Sequence, residues 1–301
     1  MKKIRRYLPL YLLAAPGILY LLINNYLPMA GIFIAFKRLD FSKGIFKSDW
    51  VGLENFEFLF KTSDAWVITR NTILYNVLFI VLSTVGAIVI AIFLNEIGKK
   101  FFQRFYQTII LIPSLVSMVI VAYLVYAFLS PTGGYINSII FKLFGMDPVN
   151  WYDKAMAWPI ILPIVYLWKN VGQLSVIYFS SIIGIDHEYY EAAELDGATA
   201  WNKVTQITLP LIKPIIVTMI LFSVGRIFYS DFGLFYQVTM NSGTIYSTTN
   251  TIDTYVFRGL MQYGDMAMSS AAGLYQSVVG FILVLLSNFI VKKIDAENAL
   301  F

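Results

Sequence analysis

Residues 73–94 read ILYNVLFIVLSTVGAIVIAIFL, a run without one charged side chain. A helix of about 20 residues crosses the hydrocarbon core of a bilayer. A run of this length and purity is therefore a transmembrane span. Working outward, residues 8–36, 109–129, 158–183, 214–236 and 273–291 have the same character, which predicts an all-α integral membrane protein with six transmembrane helices. The first run follows Met-Lys-Lys-Ile-Arg-Arg, as a signal peptide would. It continues through Pro16 and Asn24-Asn25 to Phe36 with no small-residue cleavage site, so it reads as a retained helix.

Composition agrees. Of 301 residues, 58% are hydrophobic and 13% charged, against about 25% charged in an ordinary soluble domain. The net charge of +4 comes from Lys and Arg in the connecting segments, and no basic patch interleaved with aromatics suggests nucleic acid. Membrane lipid is the expected partner of that charge. The chain has no Cys and one His, His187, which excludes thiolate and multi-His metal sites. With the N-terminus inside, Lys2, Lys3, Arg5, Arg6, Lys99, Lys100, Arg104, Lys203, Lys213, Lys292 and Lys293 fall in short inner segments, and the remaining loop cations spread over longer outer ones. This density favours both termini in the cytoplasm. Trp50, Trp66, Trp151 and Trp158 lie near span ends, where an interfacial belt is expected. No internal repeat or linker divides the chain, which predicts a single membrane domain over residues 1–301.

The inner segment 184–213 is the most structured connection. Asp186 can cap a short helix with Glu188 and Glu191 in its first turns. Gly197 can end that helix in the left-handed conformation. Thr199 can start a second short helix, expected to stop near Leu209 ahead of Pro210. The residues alone leave open whether this is a docking elbow or an ordinary amphipathic loop.

Glu191-Ala192-Ala193, then Asp196-Gly197-Ala198, then Ile207-x-Leu209-Pro210, between the fourth and fifth spans, resembles the EAA loop of binding-protein-dependent ABC transporter permeases. The likeness extends along nearly the whole chain. Pro28-Met29-x-Gly31, Val51-Gly52-Leu53-x-Asn55-Phe56, Asn95-Glu96-Ile97, Ser130-Pro131-x-Gly133-Gly134, residues 252–256 and Ser277-Val278-Val279-Gly280 resemble the maltose-type branch that imports oligosaccharides. The chain departs from that pattern at His187, where Pro is frequent, at Asn170, where Glu is frequent, and over residues 226–247. The resemblance implies a type I importer transmembrane domain in the cell membrane. It implies that Glu191, Ala192, Ala193, Asp196, Gly197, Leu209 and Pro210 couple to a separate ATPase. It also implies a second homologous permease, two ATP-binding subunits carrying ATP and Mg, and an extracellular solute-binding protein. This chain itself would bind no cofactor and catalyse no reaction.

Polar residues inside apolar runs need protein or water around them. Tyr166, Lys169 and Gln173 recur at helical spacing on the fourth span, as do Ser223, Arg226 and Ser230 on the fifth. With Tyr229 and Asp231 they are the candidate substrate path, offering hydrogen bonds and aromatic faces suited to sugars, or else structural pairs between helices. Gly273, Ser277, Gly280, Val284 and Ser287 form a small-residue stripe suited to close helix packing. No P-loop is present, so nucleotide must bind elsewhere. Competing readings are a permease for peptides or amino acids, a secondary transporter, for which related halves are lacking, and a membrane-embedded transferase, for which Glu188, Glu191, Glu194 and Asp196 lack a basic or His partner.

Overall fold

The structure is a computed structural model that describes residues 2–57 and 61–294. The C-terminal residues 295–301 and the side chains of Lys2, Lys3, Arg5 and Arg6, on which part of the orientation argument rests, lie outside the described set. Among the described residues five helical stretches are long and apolar enough to cross a membrane: Tyr7–Phe36, Ser63–Asn95, Ala155–Ile183, Ala200–Val224 and Met266–Lys293. A sixth crossing arises if the bent pair Lys100–Leu115 and Met118–Leu129 is one span. The helices used below are α1 (Lys2–Leu21), α2 (Ser63–Asn95), α3 (Lys100–Leu115), α4 (Met118–Leu129), α5 (Trp158–Ile183), α6 (Glu188–Leu195), α7 (Ala200–Val224), α8 (Ile252–Tyr263) and α9 (Met266–Ile294).

Two stretches differ from the sequence expectation. The third span is not one helix, for its halves meet at 94°. Pro113 lacks an N–H and crowds the preceding turn. Val116 and Ser117 then adopt extended backbone, and the Ser117 hydroxyl accepts from the Ile120 N–H at 3.4 Å to start α4. The second difference concerns Pro210, which does not stop a helix. Just before it, Val204–Thr208 widens into a π turn, with the Leu209 N–H bonded to the Val204 carbonyl. That widening absorbs the missing proline donor, and the helix runs on to Val224. The fifth span thus starts before residue 214 and ends before residue 236.

Contacts divide the chain into two units. The first comprises Met1–Ala65 and Val256–Ser277. Here Lys37–Arg38 (β1) pairs antiparallel with Asp49–Trp50 (β2). Gly52 turns the chain at φ 61°, and the Asn55 amide donates to the carbonyls of Ala35 and Lys37, both at 2.9 Å. The second unit comprises Trp66–Tyr255 and Val278–Phe301. One of its cores gathers Tyr75, Phe79, Val121, Trp158, Leu162, Leu234 and Ile245. Another gathers Ala87, Ala91, Tyr178, Phe179 and Ile212. Trp158, expected at an interface, is fully buried and donates to the Trp151 carbonyl at 3.0 Å. A β-carbon on Gly172 would overlap the Ile110 carbonyl, so α5 and α3 cross nearly backbone to backbone. The small-residue stripe of α9 meets this chain at Val284, which would touch a β-carbon on Gly225 at 3.0 Å.

Candidate functional site

A cavity of about 810 Å³ opens in the second unit. Its walls include Asn76, Phe79 and Ser83 from α2, Tyr166, Asn170 and Gln173 from α5, and Ser223, Arg226, Tyr229 and Asp231 from the end of α7 and the segment after it. Of the residues expected along the path, Tyr166, Gln173, Arg226, Tyr229 and Asp231 come together here. Lys169 does not. Its ammonium turns to the carbonyls of Pro113, Ser114 and Val116 at 3.5, 3.4 and 2.5 Å, where α3 ends. A cation there adds a donor at the carbonyl end of the helix, where the Val116 N–H serves only the Pro113 carbonyl, and complements the negative end of the dipole.

The expected helical stripe Ser223–Arg226–Ser230 also changes form, because α7 ends at Val224, residues 225–228 are turns and 229–230 are irregular. The turns are held from three directions. The Asn76 amide donates to the carbonyls of Ile227 and Tyr229 at 3.0 and 3.2 Å. The Ser230 N–H and hydroxyl donate to Asp253 at 2.6 and 2.7 Å. The Asp231 carboxylate accepts from the Leu234 N–H at 3.1 Å and caps the helical turn Gly233–Val238. Arg226 lines the cavity and makes no ion pair among the described residues. The Tyr166 ring stacks on Phe79 with centroids 3.9 Å apart and planes 6° from parallel. The cavity thus combines amides, hydroxyls, one guanidinium, the Asp231 carboxylate and flat aromatic surface. Among the described residues no group of His, Cys, Asp or Glu could hold a metal ion.

The elbow after α5 is built as a rigid piece. The Asp186 carboxylate accepts from the Glu188 N–H at 3.1 Å to start α6, and His187 lies 3.3 Å from Glu191. At the other end the Ala198 N–H bonds the Ala193 carbonyl at 2.8 Å, and the Gly197 N–H bonds that of Glu194 at 3.0 Å. Gly197 sits at φ 75° between them. These bonds form a Schellman motif, with glycine in its left-handed position. The Thr199 hydroxyl then accepts from the Asn202 N–H at 3.2 Å and begins α7. Two bonds unforeseen in the sequence clamp α6 onto α7: Lys203 to Glu194 at 2.7 Å, and Tyr190 to Thr208 at 2.9 Å. The lysine ammonium holds the Glu194 carboxyl below the usual carboxylate range. Leu195, also unremarked in the sequence, is 91% exposed. Leu209 and Pro210 lie within α7, past the clamp.

Apolar helices around a cavity of hydrogen-bonding groups, with a rigid polar elbow between two of them, define a solute-transporting membrane subunit. Residues 71–296 match the family described as binding-protein-dependent transport system inner membrane component, and the chain belongs to that family. It is the permease subunit of an ABC importer, an all-α, multi-pass component of the cell membrane. The chain is 34% identical to protein LplB of Bacillus subtilis over 96% of its own length and 90% of that protein. It is 33% identical to the polygalacturonan/rhamnogalacturonan transport system permease YteP of the same organism, over 96% of its length and 89% of the relative. It superposes on a chain of a bacterial ABC transporter that imports the acidic polysaccharide alginate, with a TM-score of 0.89, 32% identity and 98% of both chains covered. It matches that transporter's complex with a periplasmic protein bound to alginate pentasaccharide at a TM-score of 0.88 and 31% identity, over 97% of both chains.

Proposed function

We propose that this permease passes an oligosaccharide bearing carboxylates, delivered by an extracellular solute-binding protein, along a path that includes the Tyr166–Gln173–Arg226 cavity. The observation that carries the proposal is Arg226, a guanidinium without an ion-pair partner among the described residues, in a wall of amides, hydroxyls, aromatic rings and one carboxylate, Asp231, which is engaged by the Leu234 N–H. Amides and hydroxyls suit sugar hydroxyls, aromatic faces suit the apolar side of a pyranose, and a planar guanidinium suits a carboxylate in bidentate fashion. Relatives named for polygalacturonan/rhamnogalacturonan and for alginate support the charge assignment.

In this reading residues 1–301 form one transmembrane domain with both termini in the cytoplasm. Residues 184–213 are its coupling loop, and the chain pairs with a second, homologous permease and two ATP-binding subunits. The loop docks on an ATPase through Glu191, Ala192, Ala193, Asp196 and Gly197, with Leu195 as an apolar anchor. Leu209 and Pro210 carry the motion into α7. ATP and Mg are held by the partner. The test is reconstitution of the complete complex in membranes. A binding protein loaded with an oligogalacturonate should stimulate ATP hydrolysis and uptake more strongly than one loaded with a neutral oligosaccharide, and one loaded with a peptide or an amino acid should not stimulate them. Stimulation by a peptide or amino acid alone would overturn the carbohydrate assignment.

A further inference from the structure

The start of α3 carries a surface that the transport reading does not use. Lys100 and Arg104 stand one turn apart and line a groove of about 590 Å³ with Phe101, Phe105, Ile109 and Ile112. The floor is open: Phe101 is 74% and Ile112 52% exposed. Neither cation makes an ion pair among the described residues, and the first turn of α3 has no acidic residue. Cations at a helix N-terminus oppose the macrodipole, so nothing local favours them there. Two cations at one end of a row of exposed apolar side chains match a molecule with an anionic head and a hydrocarbon tail.

We infer that this face binds an anionic phospholipid. Its phosphate lies between Lys100 and Arg104, and an acyl chain follows Phe105, Ile109 and Ile112. The leaflet assignment rests on the proposed topology: α3 begins on the same side as the elbow, which places the lipid in the inner leaflet. Basic residues beside an apolar surface are the ordinary means of recognising that leaflet.

The complete transporter is reconstituted into nanodiscs of phosphatidylglycerol and phosphatidylcholine. One set carries photoactivatable phosphatidylglycerol and another photoactivatable phosphatidylcholine with the same acyl chains. Peptide mass spectrometry should find phosphatidylglycerol adducts enriched at residues 100–112. Lys100→Gln or Arg104→Gln should lower that labelling about fivefold each, with phosphatidylcholine labelling and copurification of the other subunits unchanged. Equal labelling by the two lipids, labelling unaffected by the substitutions, or a protein subunit crosslinked to this face would each overturn the inference. A failed topology is distinguishable. It would expose a thiol placed at Asn202 to an external reagent and move the lipid to the outer leaflet, without abolishing the preference for phosphatidylglycerol.

Discussion

Lys169 donates a hydrogen bond to the Val116 carbonyl across the break between α3 and α4, at 2.5 Å. The same ammonium lies within 3.5 Å of the Pro113 carbonyl, so one side chain serves the end of α3 that Pro113 and Ser117 create. Lys169 therefore fastens the bent span and stands outside the cavity wall. Lys169→Met leaves the Pro113 carbonyl with the Val116 N–H alone and removes the ammonium from the Val116 carbonyl, at a cost of about 1–3 kcal/mol. The expected result is a lower thermal midpoint for the solubilised complex with cargo preference unchanged. A changed preference at unchanged stability would return Lys169 to the substrate path.

Arg226 and Gln173 should behave differently. Gln173→Leu removes amide groups from the cavity wall and should lower uptake of charged and neutral oligosaccharides alike, with assembly intact. Arg226→Gln should reduce oligogalacturonate uptake about tenfold or more, as loss of a charge-assisted hydrogen bond implies, and spare a neutral sugar. Arg226→Lys should recover part of it, since an ammonium keeps the charge and loses the planar fork. The measurement is uptake of labelled sugars into proteoliposomes with loaded binding protein. Equal loss for both sugar classes would remove the carboxylate from the proposal.

The spans were legible because length and apolarity alone define them, and the elbow because Asp186, Thr199 and Gly197 are capping residues whose roles follow from local geometry. The 94° bend was hidden by uniform hydropathy on both sides of it; Pro113 followed by Ser117, a helix breaker and then a cap, was the available signal. Pro210 misled because a proline after a π turn need not end a helix. The cavity wall was half legible. Tyr166 and Gln173 lie on a regular helix, where spacing predicts a shared face. Asn76 and Asp253 come from distant segments and act by pinning turns, which no periodicity records, although an Asn inside the run 73–94 was a visible anomaly.

The Glu194–Lys203 contact gives the elbow a pH dependence. The paired ammonium depresses the Glu194 carboxyl in the folded state. Its contribution is therefore complete above the ordinary carboxylate pKa and fades as pH falls through the lowered one. Coupled ATP hydrolysis should show no step from this pair at neutral pH and a decline only in acid. Glu194→Gln should remove its part of that acid sensitivity. Both side chains reach solvent, so the effect should be small and weakened by salt. A Glu194→Gln complex with the parent acid profile would show that the clamp does not matter to coupling.

Topology is checked with single cysteines, since the chain has none. Cysteines replacing Ser138 and Ser242 should react with a membrane-impermeant thiol reagent on intact cells, and one replacing Asn202 only after permeabilisation. Labelling of position 202 from outside would invert the arrangement and detach the elbow from any cytoplasmic ATPase.

Gly197 allows backbone strain to be separated from docking. Its φ is 75°, and a β-carbon there would meet no described residue beyond its chain neighbours within 4 Å. Any effect of a side chain must come either from the left-handed backbone or from a partner's surface. The backbone penalty is about 1–2 kcal/mol for most residues and smaller for Asn. Gly197→Asn should thus keep the Schellman turn, Gly197→Val should strain it, and Gly197→Asp should tolerate the turn yet place a carboxylate on the docking face. If the elbow couples the ATPase, Gly197→Asp should lose ATPase copurification or uncouple hydrolysis from uptake, and Gly197→Asn should do so less. Ala192→Asp and Ala193→Asp, on α6 where no left-handed residue is needed, should reproduce the defect through the contact surface alone. Normal copurification and normal uptake for Gly197→Asp together with both alanine variants would mean that the ATPase grips this permease elsewhere.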